Sequence, residues 1–425
     1  MTRPASPFSF RDFRFYWCAR LAATLGQNAM VVVIGWQVYD IARRTMGTKE
    51  SALQLGLVGV AQFLPLLLLT LIVGWTADRV DRRWIARCAV SLEAACAAAL
   101  SLLAWFDVTT LPMLFAIAAL LGVARAFAGP ALSALAPNLV PLPVLPTAIA
   151  ASSIAWQAGA VVGPAAGGYL YAVDHWAPYA VAAALFGLSF TSLMLIRPIP
   201  RVTLDKTVNP WRQMIDGLRY VRRNRLVLGA ISLDLFAVLL GGATAMLPIY
   251  ARDILQVGAE GLGHLRAAPA VGSAITAFFF AFRPLRHNVG VKMLAAVGVF
   301  GVATALFGVS RSMSLSLLCL VVLGSADMFS VYVRQSLIQI YTPDAMRGRV
   351  GAVATLFISG SNELGEAESG FLAALIGPVA AVVAGGVGAV CVTVLWARWF
   401  PELKNARTFE PPQTLDDMAR QEKAA

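Results

Sequence analysis

The chain has 425 residues, of which 58% are hydrophobic and 13% charged, with a mean hydropathy of +0.71 and a formal charge of +11. Soluble domains carry roughly 25% charge, so the composition excludes an ordinary soluble enzyme or binding module and describes a chain that crosses a bilayer repeatedly. The positive charge does not signal nucleic acid, because the basic residues alternate with apolar runs instead of gathering on one face.

The basic N-terminus (Arg3, Arg11, Arg14) leads straight into a first span at 17–39, with no cleavable signal segment expected. Runs able to cross a core of ~30 Å as helices follow at 53–73, 86–105, 111–135, 148–171 and 177–196. A second set lies at 226–250, 265–282, 291–309, 315–338, 351–375 and 379–400. The expected fold is an all-α integral membrane protein of about twelve transmembrane helices in two six-helix bundles. The expected division is an N-terminal bundle at 1–200, a linker at 201–225, a C-terminal bundle at 226–402 and a tail at 403–425.

Pro198, Pro200 and Pro210 break the start of the linker. Beyond them Trp211, Met214, Ile215, Leu218 and Val221 recur at helical spacing, with Arg212, Arg219, Arg222 and Arg223 mostly elsewhere on the wheel. This pattern predicts a basic amphipathic helix on the inner leaflet, tethering the two bundles. Arginine and lysine concentrate in the N-terminus, the loop after the second span, the linker, the loops 283–292 and 341–350 and the tail. That bias predicts a multi-pass protein of the inner membrane with both termini cytoplasmic. The loop 40–52, with Arg43, Arg44 and Lys49, runs against the bias as a local exception.

The halves repeat. A shift of 202 residues places Gly122 on Gly324, Pro141 on Pro343, Gly163 on Gly365 and Gly168 on Gly370, and sets Arg125 against Asp327. Parallel six-span repeats place a substrate site near the midplane between them. The five cysteines and three histidines are scattered, so no disulfide framework or metal cluster is expected. The absence of a phosphate-binding Gly-x-x-x-x-Gly-Lys-Ser/Thr run argues against ATP, and no nucleophile–base cluster argues for an enzyme; no cofactor is expected.

Four groups of residues carry the functional reading. The loop Gly74-Trp75-Thr76-Ala77-Asp78-Arg79-Val80-Asp81-Arg82-Arg83 caps the second and third spans. Its Gly74, Asp78 and Arg82 spacing resembles the loop signature of the major facilitator superfamily, which implies a gating role for Gly74, Asp78, Arg79, Arg82 and Arg83. In the fifth span, Gly159, Gly163, Pro164, Gly167 and Gly168 resemble the glycine–proline signature of exporters in that superfamily. Glycines let helices approach, and Pro164 removes a backbone donor. Arg125 in the fourth span is costly in lipid and needs a partner; the resemblance implies that it meets Asp78.

The eleventh span holds Asn362, Glu363, Glu366 and Glu368. Ser359, Asn362, Glu363, Glu366 and Gly370 share one face, with Glu368 turned away. The stretch resembles the enterobactin-exporter-like and macrolide-efflux-like branch. Its acids either serve transport or pair structurally with Arg334 or Arg349. Asp234 and Asp327 are further membrane acids, and Gln27, Asn28 and Gln157 add neutral polar groups. An intramembrane carboxyl is the kind of group that binds and releases a transported proton, so Asp234, Asp327, Glu363 and Glu366 are the coupling candidates. The resemblance implies a secondary active exporter that moves an amphipathic organic compound, siderophore or drug-like, out of the cytoplasm by alternating access in exchange for protons. The alternatives are a lipid or lysophospholipid transporter of the same fold and a transport-inactive membrane sensor.

Overall fold

The structure, a computed structural model, describes residues 6–198 and 210–409 apart from 284 and 286. The positions 201–209 of the linker and 410–425 of the tail lie outside the described residues. Among the described residues there is no β-strand. Within lipid a chain must satisfy its backbone polar groups internally, and long helices do so without partners.

Six long helices form the first bundle: α1 (Arg11–Thr45), α2 (Thr48–Arg79), α3 (Arg82–Trp105), α4 (Leu111–Leu135), α5 (Leu145–Val173) and α6 (Ala177–Met194). Helix α7 (Pro210–Arg223) follows the linker. The seventh crossing is broken. Helix α8 (Arg225–Leu240) stops at Gly241, and the short α9 (Leu247–Ile249) and a π-helical turn (Tyr250–Ile254) finish the passage. The sequence pattern predicts one continuous run there. Gly242 instead lies where any side chain would strike Ser369 and the Gly365 carbonyl, and Gly241 abuts the Phe300 ring. The second bundle continues with α10 (Gly258–Phe282), α11 (Val289–Val309), α12 (Met313–Tyr341), α13 (Asp344–Ile376) and α14 (Pro378–Trp399). Helix α4 has the boundaries that the sequence predicts, while α10 begins earlier than its predicted span and draws Glu260 and His264 into the helix.

Ten of these passages are long and apolar enough to cross a membrane among the described residues. The other two, α10 and α13, carry Arg266 and Glu363, Glu366 and Glu368. Large apolar side chains cover the outside, with Val173 82% and Leu375 74% exposed, while Tyr16, Tyr39, Tyr179 and Tyr250 are fully buried. A surface of this kind suits lipid rather than water.

In the first bundle α1 packs against α5 and α6, α2 against α4, and α3 against α4 and α6. In the second, α11 packs on α12 and α14, α10 on α12, and α13 on α8. The bundles join through two helix pairs, α2 with α13 and α5 with α10.

The internal repeat is visible in the packing. Gly122 of α4 lies on the Gln62 backbone of α2, and its counterpart Gly324 of α12 lies on the Pro269 backbone of α10. Gly168 of α5 meets Gly263 of α10, and its counterpart Gly370 of α13 meets Gly56 of α2. Both cross-bundle pairs are glycine on glycine.

Helix α7 forms where the apolar spacing predicts it. Met214 and Val221 pack into a cluster with Val227, Ile338, Val350 and Val353, and Gly217 lies on the Arg349 carbonyl. Ile215 and Leu218, from the same predicted apolar stripe, stay exposed on the opposite side. The helix is thus docked on the base of the second bundle. Tyr220 donates to the Tyr341 carbonyl at 2.6 Å and Arg349 pairs with Asp216 at 3.4 Å.

Candidate transport pathway and gates

The glycine signature of α5 is a packing face. A side chain on Gly159 would meet Thr24, one on Gly163 would meet the Leu25 carbonyl and Asn28, and one on Gly167 would meet Ala29. Three of its glycines therefore bring α5 onto the α1 backbone, and Gly168 turns to the other bundle. Pro164 is buried between them. Asn28 donates to the Thr24 carbonyl at 2.9 Å and belongs to this seam.

The two glycine contacts lie near one end of the molecule, within ~12 Å of the helix ends opposite the chain termini at ~1.5 Å per residue. A polar layer closes the same end. The Tyr39 hydroxyl donates to Asp253 at 2.5 Å, and Arg43 donates to the same carboxylate at 3.0 Å. Arg252 pairs with Asp40 at 2.7 Å, and Lys49 donates to the Leu375 carbonyl at 3.0 Å. Tyr169 joins His264 beside the Gly168–Gly263 contact. The basic residues of the anomalous loop 40–52 are thus explained in part: Arg43 and Lys49 reach across to the other bundle.

The interior of the first bundle holds a polar cluster. Gln27 donates to Glu93 at 2.5 Å, and Arg125 donates to Gln62 at 3.2 Å. All four side chains line one small cavity together with Phe186 and Leu121. Glu93 is fully buried, and its second carboxyl oxygen has no hydrogen-bond partner. Glu93 is absent from the predicted site, although a single acid within an apolar span is itself a signal of function. The expected meeting of Arg125 with Asp78 falls on a side chain outside the described residues. Along α2, Asp78 stands ~24 Å beyond Gln62, at ~1.5 Å per residue.

In the second bundle Asp234 of α8 forms a buried ion pair with Arg334 of α12. Arg334, offered by the sequence as a partner for the α13 acids, is thus held by Asp234, and Arg349 pairs with Asp216. Glu366 of α13 lies within electrostatic reach of Arg266 of α10. Arg266 was not singled out in the sequence, where it stands at the edge of a predicted span and passes for an interfacial arginine. Asp327 is half-buried on α12, one turn from Gly324, and no ion pair holds it among the described residues. Asn362 is exposed, and the Glu363 and Ser359 side chains lie outside the described residues.

The arginine-rich loop is the junction of α2 and α3. The side chains of Gly74, Asp78 and Arg79 lie outside the described residues, and Arg82 is half-buried. Asp81 caps α3, accepting from the Arg83 amide at 2.9 Å and pairing with the Arg83 guanidinium at 2.6 Å. That guanidinium holds the Asp81 carboxyl below the ordinary carboxylate range. Arg83, expected as a gating residue, is buried, and Arg87 beside it donates to the Leu193 carbonyl at 2.9 Å. Arg87 thus reaches one of the last carbonyls of α6, where the helix end leaves acceptors unsatisfied, and Arg83 donates to the Ile196 carbonyl just beyond that end. In this conformation Arg83 ties α3 to the segment after α6.

A family model described as transmembrane secretion effector matches residues 2–419. The chain belongs to that family. It is 28% identical over 418 residues to the enterobactin exporter EntS of Escherichia coli O1:K1, covering 95% of each chain. A bacterial homologue of the human lysosomal transporter Spinster, solved inward-facing and unoccupied, superposes with a TM-score of 0.72 at 15% identity over 92% of this chain and 98% of that one. A D-xylose–proton symporter gives 0.68 at 14% identity, with 92% and 98% covered. The fold is that of the major facilitator transporters. The protein is a multi-pass membrane transporter, not an enzyme.

Proposed function

We propose that the protein exports an amphipathic organic compound, a siderophore or a drug-like molecule, from the cytoplasm in exchange for protons. The observation that carries this reading is the end-to-end likeness to an enterobactin exporter, 28% identical over 95% of both chains. The α1–α5 glycine seam supports export, and the arginine bias supports an inner-membrane protein with both termini in the cytoplasm. With that orientation, the Asp253 and Asp40 layer is the outer gate, closed in this structure. The two glycine pairs are the pivots on which the bundles rock. Arg266 supplies a cation for an acidic substrate, and Asp327 and Glu366 are the residues assigned to proton exchange. Asp234 already neutralises Arg334, so it is the weaker proton carrier.

The test is efflux from a host deleted for its own exporters, challenged with a catecholate siderophore and a panel of cationic dyes. Faster extrusion of at least one compound, abolished by a protonophore, supports the reading. Equal retention with and without the protein across the panel overturns it.

A further inference from the structure

The cluster inside the first bundle contains an acid that neither the packing nor the outer gate requires. Glu93 sits on α3 with no exposed surface. One carboxyl oxygen accepts from Gln27 at 2.5 Å, and the other has no partner. The adjoining cavity measures about 10 Å³, room for one water at most. No ion pair joins Glu93 to Arg125, although both line that cavity; the guanidinium donates to Gln62 at 3.2 Å. An ionised carboxylate held in such a place, without a bonded cation, carries a desolvation penalty that one amide does not offset. The groups facing it are few. Gln27 comes from α1, Gln62 from α2, Arg125 from α4 and the apolar Phe186 from α6, with Cys96 one turn along its own helix.

We propose that Glu93 is a proton-binding site of the first bundle, and that loss of its proton draws Arg125 away from Gln62 and toward Glu93. With the proton bound, the neutral carboxyl accepts from Gln27 and the guanidinium stays on Gln62, the arrangement observed here. Loss of the proton leaves a carboxylate, and Arg125 transfers to it as a charge-assisted pair. The transfer acts at a tight seam. Gly122, one turn before Arg125, rests on the Gln62 backbone, so releasing Gln62 loosens α4 from α2. Helix α2 in turn carries Gly56, one of the cross-bundle pivots. Proton release is thereby coupled to the contact on which the bundles move.

This proposal rests on the proton-exchange reading, and two measurements keep their failures apart. The first needs no substrate. Infrared spectra of the purified full chain, titrated from acid to alkaline pH, report the C=O stretch of protonated carboxyls. Wild type minus Glu93→Gln is expected to show one band that disappears on titration, and Glu93→Asp is expected to restore a band. Identical carboxyl spectra for wild type and a monodisperse Glu93→Gln overturn the proposal, even if transport is proton-driven. If Glu93→Gln does not purify as a monodisperse protein, the wild type minus Glu93→Asp difference decides instead: an unshifted carboxyl titration overturns the proposal, and a displaced one supports it.

The second measurement is efflux of a tris-catecholate from proteoliposomes, with and without an imposed pH gradient. The ratio of the two rates is expected to fall to unity in Glu93→Gln and Arg125→Gln, and to stay above unity in Glu93→Asp. Gradient stimulation equal to wild type in Glu93→Gln overturns the proposal. If wild type shows no stimulation at all, proton exchange is refuted and the infrared difference alone decides whether Glu93 binds the proton.

Discussion

Replacing Asp253 by Ala removes the carboxylate that receives both Tyr39 and Arg43 across the bundle interface. A hydrogen bond to a charged group nets about 1.5–3 kcal/mol in a dry site. The Arg43 and Asp253 side chains are 27% and 21% exposed, so solvent screens part of this, leaving about 1 kcal/mol for each of the two bonds. Their loss amounts to about 2 kcal/mol, roughly thirtyfold in the ratio of closed to open outer gate. The buried Tyr39 hydroxyl adds to the drive, because it regains water only when the gate opens. Spin labels at Thr110 and Ser312, on the outer ends of the two bundles, report the separation by pulsed dipolar spectroscopy. The five native cysteines are removed first. The long-distance population should rise by the estimated factor in Asp253→Ala. Arg44→Ala should leave it unchanged, since Arg44 is exposed and pairs with Asp40 within its own helix. An unaltered distance distribution in Asp253→Ala would refute the reasoning, because it would show that the polar layer does not hold the gate.

Neutralising one member of the Asp234–Arg334 pair strands a buried charge, so Asp234→Asn or Arg334→Met should lower stability by ~3–5 kcal/mol; the double variant Asp234→Leu/Arg334→Met should recover most of it in thermal unfolding. Gly122→Ala and Gly324→Ala each drive a methyl group into the backbone of a neighbouring helix and should cost ~1–3 kcal/mol. Gly187→Ala, whose new methyl meets nothing within 4 Å, should be neutral or stabilising by the same measurement. Asp81 titrates lower in the folded protein than in the unfolded chain, so its contribution is full above the ordinary carboxylate range and fades as pH falls through the folded value. Melting temperatures of wild type and Asp81→Asn should therefore differ at neutral pH and converge in acid; a constant difference would remove the Arg83 pairing as the cause.

The helices were legible in the sequence because spanning runs need no tertiary information: length and apolarity alone place α4 and nearly place α3, α6, α11 and α14. The repeat was legible for a related reason. Equivalent seams in the two halves need glycine at equivalent positions, as Gly168 with Gly263 and Gly370 with Gly56 show. What escaped depends on neighbours distant in the chain. The break after α8 answers to Phe300 and Ser369, which no local pattern announces. Arg83 reads as loop charge until the segment after α6 presents the Ile196 carbonyl. Glu93 was hidden by the apolar run that contains it, and Arg266 by its place at the edge of one. The bond from Arg125 to Gln62 was not read because a sequence fixes depth along a helix only loosely, and nothing local shows that the two stand at one level.

The central claim is export driven by protons, and everted inner-membrane vesicles test it most directly. With an imposed pH gradient, acid inside, vesicles containing the protein should accumulate a tris-catecholate siderophore against its gradient and release it when a protonophore is added. Accumulation that ignores the protonophore, or that occurs only in right-side-out vesicles, would contradict the account.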